Sequence, residues 1–254
     1  MTTVNERLGA LHASSARLAS LATSLTPEQL VGPAYPSKWT IADVLSHIGS
    51  GAVIMRRGID AAVSGVPVED GFNQSVWDDW NAKSPQAQAA AALAADSSLM
   101  DRINDLSDDE RASFSYAMGP FMLDFVTFVG LRLNEHVLHT WDVDVVSNAD
   151  ATLPSDAVRV VIDNLEMIAG FAGKSDGAVG DITVRTTDPD RHLVVNVGAE
   201  RLSLESSTDA EAADAEMPAE AFIRLVYGRL DPAHTPDGVG GPAVDRLRSV
   251  FRGV

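Results

Sequence analysis

Leu133-Asn134-Glu135-His136-Val137-Leu138-His139-Thr140-Trp141-Asp142 decides how this chain is read. Leu133, Val137 and Leu138 recur at helical spacing, and neither Gly nor Pro interrupts them. The run ends a longer segment, residues 121 to 146, which follows Gly119-Pro120 and also carries Phe121, Phe125, Phe128, Val129 and Leu131. Apolar side chains fall on nearly every side of such a helix, so the pattern predicts one that runs through the middle of a helical bundle. On it, Glu135 and His139 are separated by four residues, about 40° around the axis, and project from one face. A carboxylate and an imidazole placed this way can share a divalent cation. The spacing fits an ion pair equally well, and His136 with His139, at i and i+3, forms a competing set. His136 points about 100° away from Glu135, so one ion does not easily reach all three residues.

Upstream, the bundle needs partner helices. Val4, Leu8, Leu11, Leu18 and Leu21 mark an amphipathic helix over residues 3 to 24, ending before Thr26-Pro27. After Gly32-Pro33-Ala34-Tyr35-Pro36, Thr40 and Asp43 form a capping pattern, and Ile41, Val44, Leu45 and Ile48 give the stripe of a second helix, flanked by His47. His47 is the best-placed third ligand for a site built on Glu135 and His139. The segment through Gly65, Pro67 and Gly71 reads as irregular, and the Ala-rich stretch from Gln86 to Leu106 predicts a third helix.

Downstream, a polar linker at Asn148-Ala149-Asp150 marks a boundary between residues 1–150 and 151–254. A helix from about Ser155 to Phe171 is followed by three alternating segments, Ile182-Thr183-Val184, Leu193-Val194-Val195-Asn196-Val197 and Leu202-Ser203-Leu204. They predict a small antiparallel meander. Asp209 to Glu216 reads as a solvated acidic loop, Pro218 opens a helix that closes near Gly228, and a last helix spans Pro242 to Phe251. The fold class is therefore α+β, mainly α: a helical bundle followed by a small α/β domain.

Composition narrows the function. Nineteen basic against 36 acidic side chains leave a net charge of -17, which repels phosphate backbones and anionic bilayers. Nucleic-acid and membrane partners are not expected. No stretch reaches the roughly 18 apolar residues of a membrane span, and Met1-Thr2-Thr3-Val4-Asn5-Glu6-Arg7 does not open a signal peptide, so a cytoplasmic location is expected. With no cysteine, metal ligands must be His or carboxylate, and any thiol chemistry needs an external thiol.

The pairing of Trp39-Thr40-Ile41-Ala42-Asp43-Val44-Leu45-Ser46-His47 with Glu135-His136-Val137-Leu138-His139-Thr140-Trp141-Asp142 resembles the mycothiol-dependent maleylpyruvate isomerase family, within the DinB-like superfamily. The resemblance implies a DinB-like four-helix bundle holding a divalent metal, zinc being the expected ion, on His47, Glu135 and His139. It implies a sterol-carrier-like second domain whose Gly-Arg pair, here Gly228-Arg229, brings catalytic Arg229 to the site, with Arg224 as the alternative. Mycothiol would be the thiol cosubstrate and a small electrophile such as maleylpyruvate its partner, in S-transfer or cis–trans isomerisation, by a monomer or homodimer. Trp141 and Asp142 are expected to pack or to support the ligands. Three lysines against sixteen arginines fit a GC-rich, actinobacterial genome. The competing readings are a non-thiol hydrolase or oxygenase, although no His-Glu-x-x-His motif is present, and a non-enzymatic ligand-binding or regulatory module.

Overall fold

The computed structural model describes residues 2–119, 121–175, 177–208 and 212–253. The chain divides into two compact units, Val4–Asn148 on one side and Met1–Thr3 with Ala149–Val254 on the other.

In the first unit the helices are α1 (Val4–Ser24), α2 (Pro27–Leu30), α3 (Ile41–Ser64), α4 (Phe72–Asn81), α5 (Pro85–Asn104), α6 (Asp108–Ala112) and α7 (Phe125–Asp144). The four long ones form the bundle, with α1 packed on α7 and α3 on α5. Leu11 and Leu18 of α1, Val44, Leu45 and Ile48 of α3, Leu99 and Ile103 of α5, and Phe128, Leu133 and Leu138 of α7 fill its core. The close seam between α3 and α5 depends on Gly49. A Cβ there would lie 2.7 Å from the Ala92 Cα and strike the Trp80 ring. Fifteen of the twenty residues of α7 are buried, which makes it the central helix the apolar pattern predicts.

That helix starts later than residue 121. Asp124 caps it by accepting a hydrogen bond from Thr127 N at 2.8 Å. Phe121–Leu123 instead forms strand β2, antiparallel to β1 (Tyr116–Met118), and Gly119 with φ 56° supplies a turn conformation that side chains other than Gly disfavour. Phe121 and Met122 are exposed, so their hydrophobicity extended the apparent helix without belonging to it. The segment after Gly71 also holds α4, which sequence periodicity missed because only Val76 and Trp80 of its ten residues are buried.

The second unit contains α8 (Ser155–Val161), α9 (Leu165–Ala172), α10 (Ala219–Val226), α11 (Pro242–Val250) and strands β3 (Gly180–Thr187), β4 (Arg191–Val197), β5 (Leu202–Ser206) and β6 (Ala215–Pro218). A 3-10 turn over Ile162–Asn164 separates α8 from α9, so the single helix expected from Ser155 to Phe171 is two short ones. The sheet order is β5-β4-β3-β6. Its first three strands are the expected meander, with Ile182, Val184, Leu193, Val195, Leu202 and Leu204 buried at alternate positions. The fourth strand is a correction. The end of the acidic stretch, Ala215 and Glu216, runs with Met217 and Pro218 into β6, which pairs in parallel with β3 and buries Ala215 and Met217. Asp214 anchors it, its carboxylate accepting from Thr183 N and Oγ1, both at 2.8 Å. Residues 209–211 of the expected loop lie outside the described residues. Among the described residues no helix is long and apolar enough to cross a membrane.

Candidate metal centre

The phase of α3 is set at its first turn. Thr40 Oγ1 accepts from Asp43 N at 3.1 Å and Asp43 Oδ2 accepts from Thr40 N at 2.8 Å, the reciprocal capping box. With Val44, Leu45 and Ile48 directed into the core, His47 falls at the edge of the buried stripe, its side chain 44% exposed. Glu135 and His139 project from α7 one turn apart. Glu135 Oε2 lies 3.1 Å from His47 Nε2 and 3.6 Å from His139 Nε2. Ligand atoms of the three residues fall within 4.8 Å of one another, and among the described residues no other cluster of this kind occurs. The Glu135 side chain is 46% exposed, so the cluster opens to solvent.

Two groups hold His139 in place. Asp142, fully buried one turn further along α7, accepts a 2.8 Å hydrogen bond from His139 Nδ1. With Nδ1 committed to Asp142, Nε2 is the ring nitrogen that faces Glu135 and His47. The Trp39 indole stacks on the His139 ring at 5.8 Å and 18°, and lies 5.3 Å from the His47 ring. Trp39 is itself fixed by its backbone, which donates to Pro36 O and accepts from Ala34 N, while Tyr35 N donates to Asp142 O at 3.1 Å. The loop before α3 is thereby tied to the last turn of α7. No local spacing marks this role of Trp39, since the rings it meets lie on two different helices.

Neighbouring groups packed round the Glu135 carboxyl desolvate it and push it upward although the side chain keeps one side open to solvent, but hydrogen bonds and charge from His139 and His47 outweigh this and hold the group well below the usual carboxylate range. The cluster therefore offers an ionised carboxylate.

His136 is not part of it. Its fully buried ring places Nδ1 3.0 Å from Ser14 Oγ and Nε2 3.2 Å from Asp96 Oδ2, so the competing pair of His136 with His139 is not assembled. Burial pushes His136 toward its neutral form against the pull of Asp96. Asp96 also accepts from Arg132 Nη2 at 2.8 Å and from Ser15 Oγ at 2.5 Å. Desolvation raises the Asp96 carboxyl, yet His136, Arg132 and Ser15 together hold it below the normal range. This network joins α1, α5 and α7 behind the turn that carries Glu135 and His139. Arg132 and His136, four apart on an apolar helix, were its legible half, since buried charge requires partners.

The two arginines belong to the second unit. Arg224 makes a two-point contact with Glu220, 2.8 Å at each nitrogen, and its Nη1 donates to His234 O at 2.7 Å. The buried Arg229 donates from Nη1 to Tyr227 O at 2.9 Å, and its guanidinium lies 6.0 Å from the Tyr227 ring centre.

Fold and site together define an α+β protein whose helical bundle converges two imidazoles and a carboxylate on one accessible point. The family described as mycothiol maleylpyruvate isomerase N-terminal domain matches residues 11–144, and the chain belongs to that family. Two solved structures share the fold. A crystal structure of the mycothiol-dependent maleylpyruvate isomerase is 14% identical, with 95% of this chain and 96% of that one covered at a TM-score of 0.68. A histidine-to-alanine mutant of a mycothiol-dependent maleylpyruvate isomerase is 13% identical, with 90% of each chain covered at a TM-score of 0.66. No curated protein matches the chain.

Proposed function

We propose that this protein is a metal-dependent enzyme that uses a low-molecular-weight thiol, mycothiol, for S-transfer to, or cis–trans isomerisation of, a small electrophile of the maleylpyruvate type. The observation that carries the reading is the convergence of His47, Glu135 and His139, drawn from two helices, on one solvent-open point. Their donors fit a divalent ion of the zinc type: two imidazole nitrogens and one ionised carboxylate leave a coordination position for an incoming ligand. When bound, such an ion favours the thiolate form of an entering thiol.

The protein's own groups prepare the rest. Asp142 fixes the His139 tautomer, and Trp39 walls one side of both imidazoles. In an isomerisation, the sulfur adds to the conjugated double bond, the former double bond turns as a single bond, and loss of the same thiol restores unsaturation in the trans form. In S-transfer the first bond-forming step suffices. The family resemblance assigns Arg229, in a sterol-carrier-like second domain, to the substrate carboxylates, and Arg224 is the weaker candidate because Glu220 neutralises it.

The test is a thiol-consumption and isomerisation assay with mycothiol against maleylpyruvate and a panel of other electrophiles, with and without added zinc. Turnover by the zinc-loaded wild type, lost in His47→Ala and on chelation, is expected. Equal turnover by His47→Ala would exclude the proposal.

A further inference from the structure

Toward the C-terminal end of α3 lies a second cavity, of about 380 Å³, within the roughly 300–1,000 Å³ typical of small-ligand sites. Gly58, which lines it, follows His47 by about three helical turns, roughly 16 Å along α3, so the cavity is separate from the metal centre.

One wall is α3 itself, where Gly58, Ala61 and Ala62 share a face at helical spacing and present a flat strip of backbone and methyl groups. Another is Pro67 and Val68, in the segment before α4. Arg57 fixes that segment, donating to Pro67 O at 2.7 Å and holding the Glu69 carboxylate at two points, 3.1 Å from Nε and 3.0 Å from Nη2. No lining side chain is charged.

Tyr116 of β1 also lines the cavity and is only 9% exposed. Its ring lies directly on α3: a Cβ at Gly58 would fall 2.2 Å from Cε2 and 3.0 Å from Cζ, the carbon that bears the hydroxyl. The phenolic end of the ring therefore stands where Gly58 borders the cavity. Its hydroxyl makes no hydrogen bond among the described residues, and protein atoms do not seal it off, so it faces the open space. Burial raises this group above its ordinary value, which leaves it a protonated donor at neutral pH. Asn73 and Ser115, the other polar residues of the wall, are exposed and solvated at the rim.

An ionic occupant would enter without a counter-charge, and a polyol would press most of its hydroxyls against Ala, Pro and Val. A pure hydrocarbon would strand the Tyr116 hydroxyl, desolvated and without a partner. A planar ring bearing one carbonyl oxygen satisfies both parts of the wall: the ring lies across the α3 strip and the oxygen accepts from Tyr116.

We propose that this cavity binds a small neutral aromatic carbonyl compound, with the Tyr116 hydroxyl donating to its oxygen and the Gly58, Ala61 and Ala62 strip receiving its ring. Neither the metal nor the thiol enters the argument, so the two readings fail separately.

The test titrates three probes against the full chain by saturation-transfer NMR. They are acetophenone, α-methylstyrene, in which a methylene group replaces the carbonyl oxygen, and benzoate, which carries a charge. Acetophenone is expected to bind in the millimolar range or tighter, and Tyr116→Phe to weaken it by about three- to tenfold, the size of one hydrogen bond. α-Methylstyrene should bind wild type and Tyr116→Phe alike, which also shows that the variant keeps its cavity. Ala61→Leu, on the half-buried face of α3, should fill the strip and abolish binding of both. Benzoate binding as tightly as acetophenone, no saturable binding of acetophenone, or equal acetophenone binding by wild type and either variant overturns the proposal.

Discussion

His139 Nδ1 and Asp142 Oδ2 lie 2.8 Å apart, and the Asp142 side chain is fully buried. Because Asp142 holds the His139 ring through Nδ1, its removal is expected to disturb any ion that Nε2 helps to bind. Asp142→Ala is expected to weaken zinc binding by about 10- to 100-fold, measured by competition with a chromophoric chelator. Unchanged affinity would mean that His139 is not a ligand through Nε2.

The Asp96–Arg132 pair is a structural matter. Arg132 is 2% exposed, so deleting its partner leaves a guanidinium charge in the bundle core. Asp96→Ala should cost about 3–5 kcal/mol in urea denaturation.

Acid should unmask the same carboxylate. Asp96 is held below its ordinary range in the fold, so below the unfolded value of about 3.9 the unfolded chain binds the proton more readily. Its stabilising contribution is fully present above that value and is lost as pH falls toward the folded-state value. The stability gap between wild type and Asp96→Asn is therefore expected to hold at neutral pH and to shrink below about pH 4. Denaturation midpoints across an acid series measure it, and a gap that widens in acid would contradict the account.

Gly49 tests the helix seam. A Cβ there meets backbone, the Ala92 Cα at 2.7 Å, which cannot swing aside. Gly49→Ala is expected to destabilise the protein by about 1–3 kcal/mol despite its better helix propensity, read as a lower melting temperature.

Much of the bundle was legible because its helices bury one face at regular spacing, as Leu8, Leu11 and Leu18 do in α1, and carry cap residues such as Thr40. What escaped was short or tertiary in origin. The exposed Phe121 and Met122 imitate helix, α4 has almost no buried stripe, and β6 is ordered by pairing with β3 that no local pattern encodes. At the centre, spacing alone put Glu135 and His139 on one face. That His47 approaches them follows from how α3 packs against α7, which spacing leaves open: it makes His47 a candidate, and the family resemblance joins it to the pair. The stacking of Trp39 and the Asp96 network link residues far apart in sequence, and neither leaves a periodic trace.

The most direct test of the central claim is the absorption spectrum of the Co(II)-substituted protein during titration with mycothiol. An open, protein-held ion beside His47, Glu135 and His139 should give visible Co(II) bands that shift on adding the thiol, and both the bands and the shift should be lost in His47→Ala. A spectrum that mycothiol leaves unchanged, or one that survives unaltered in His47→Ala, would contradict it.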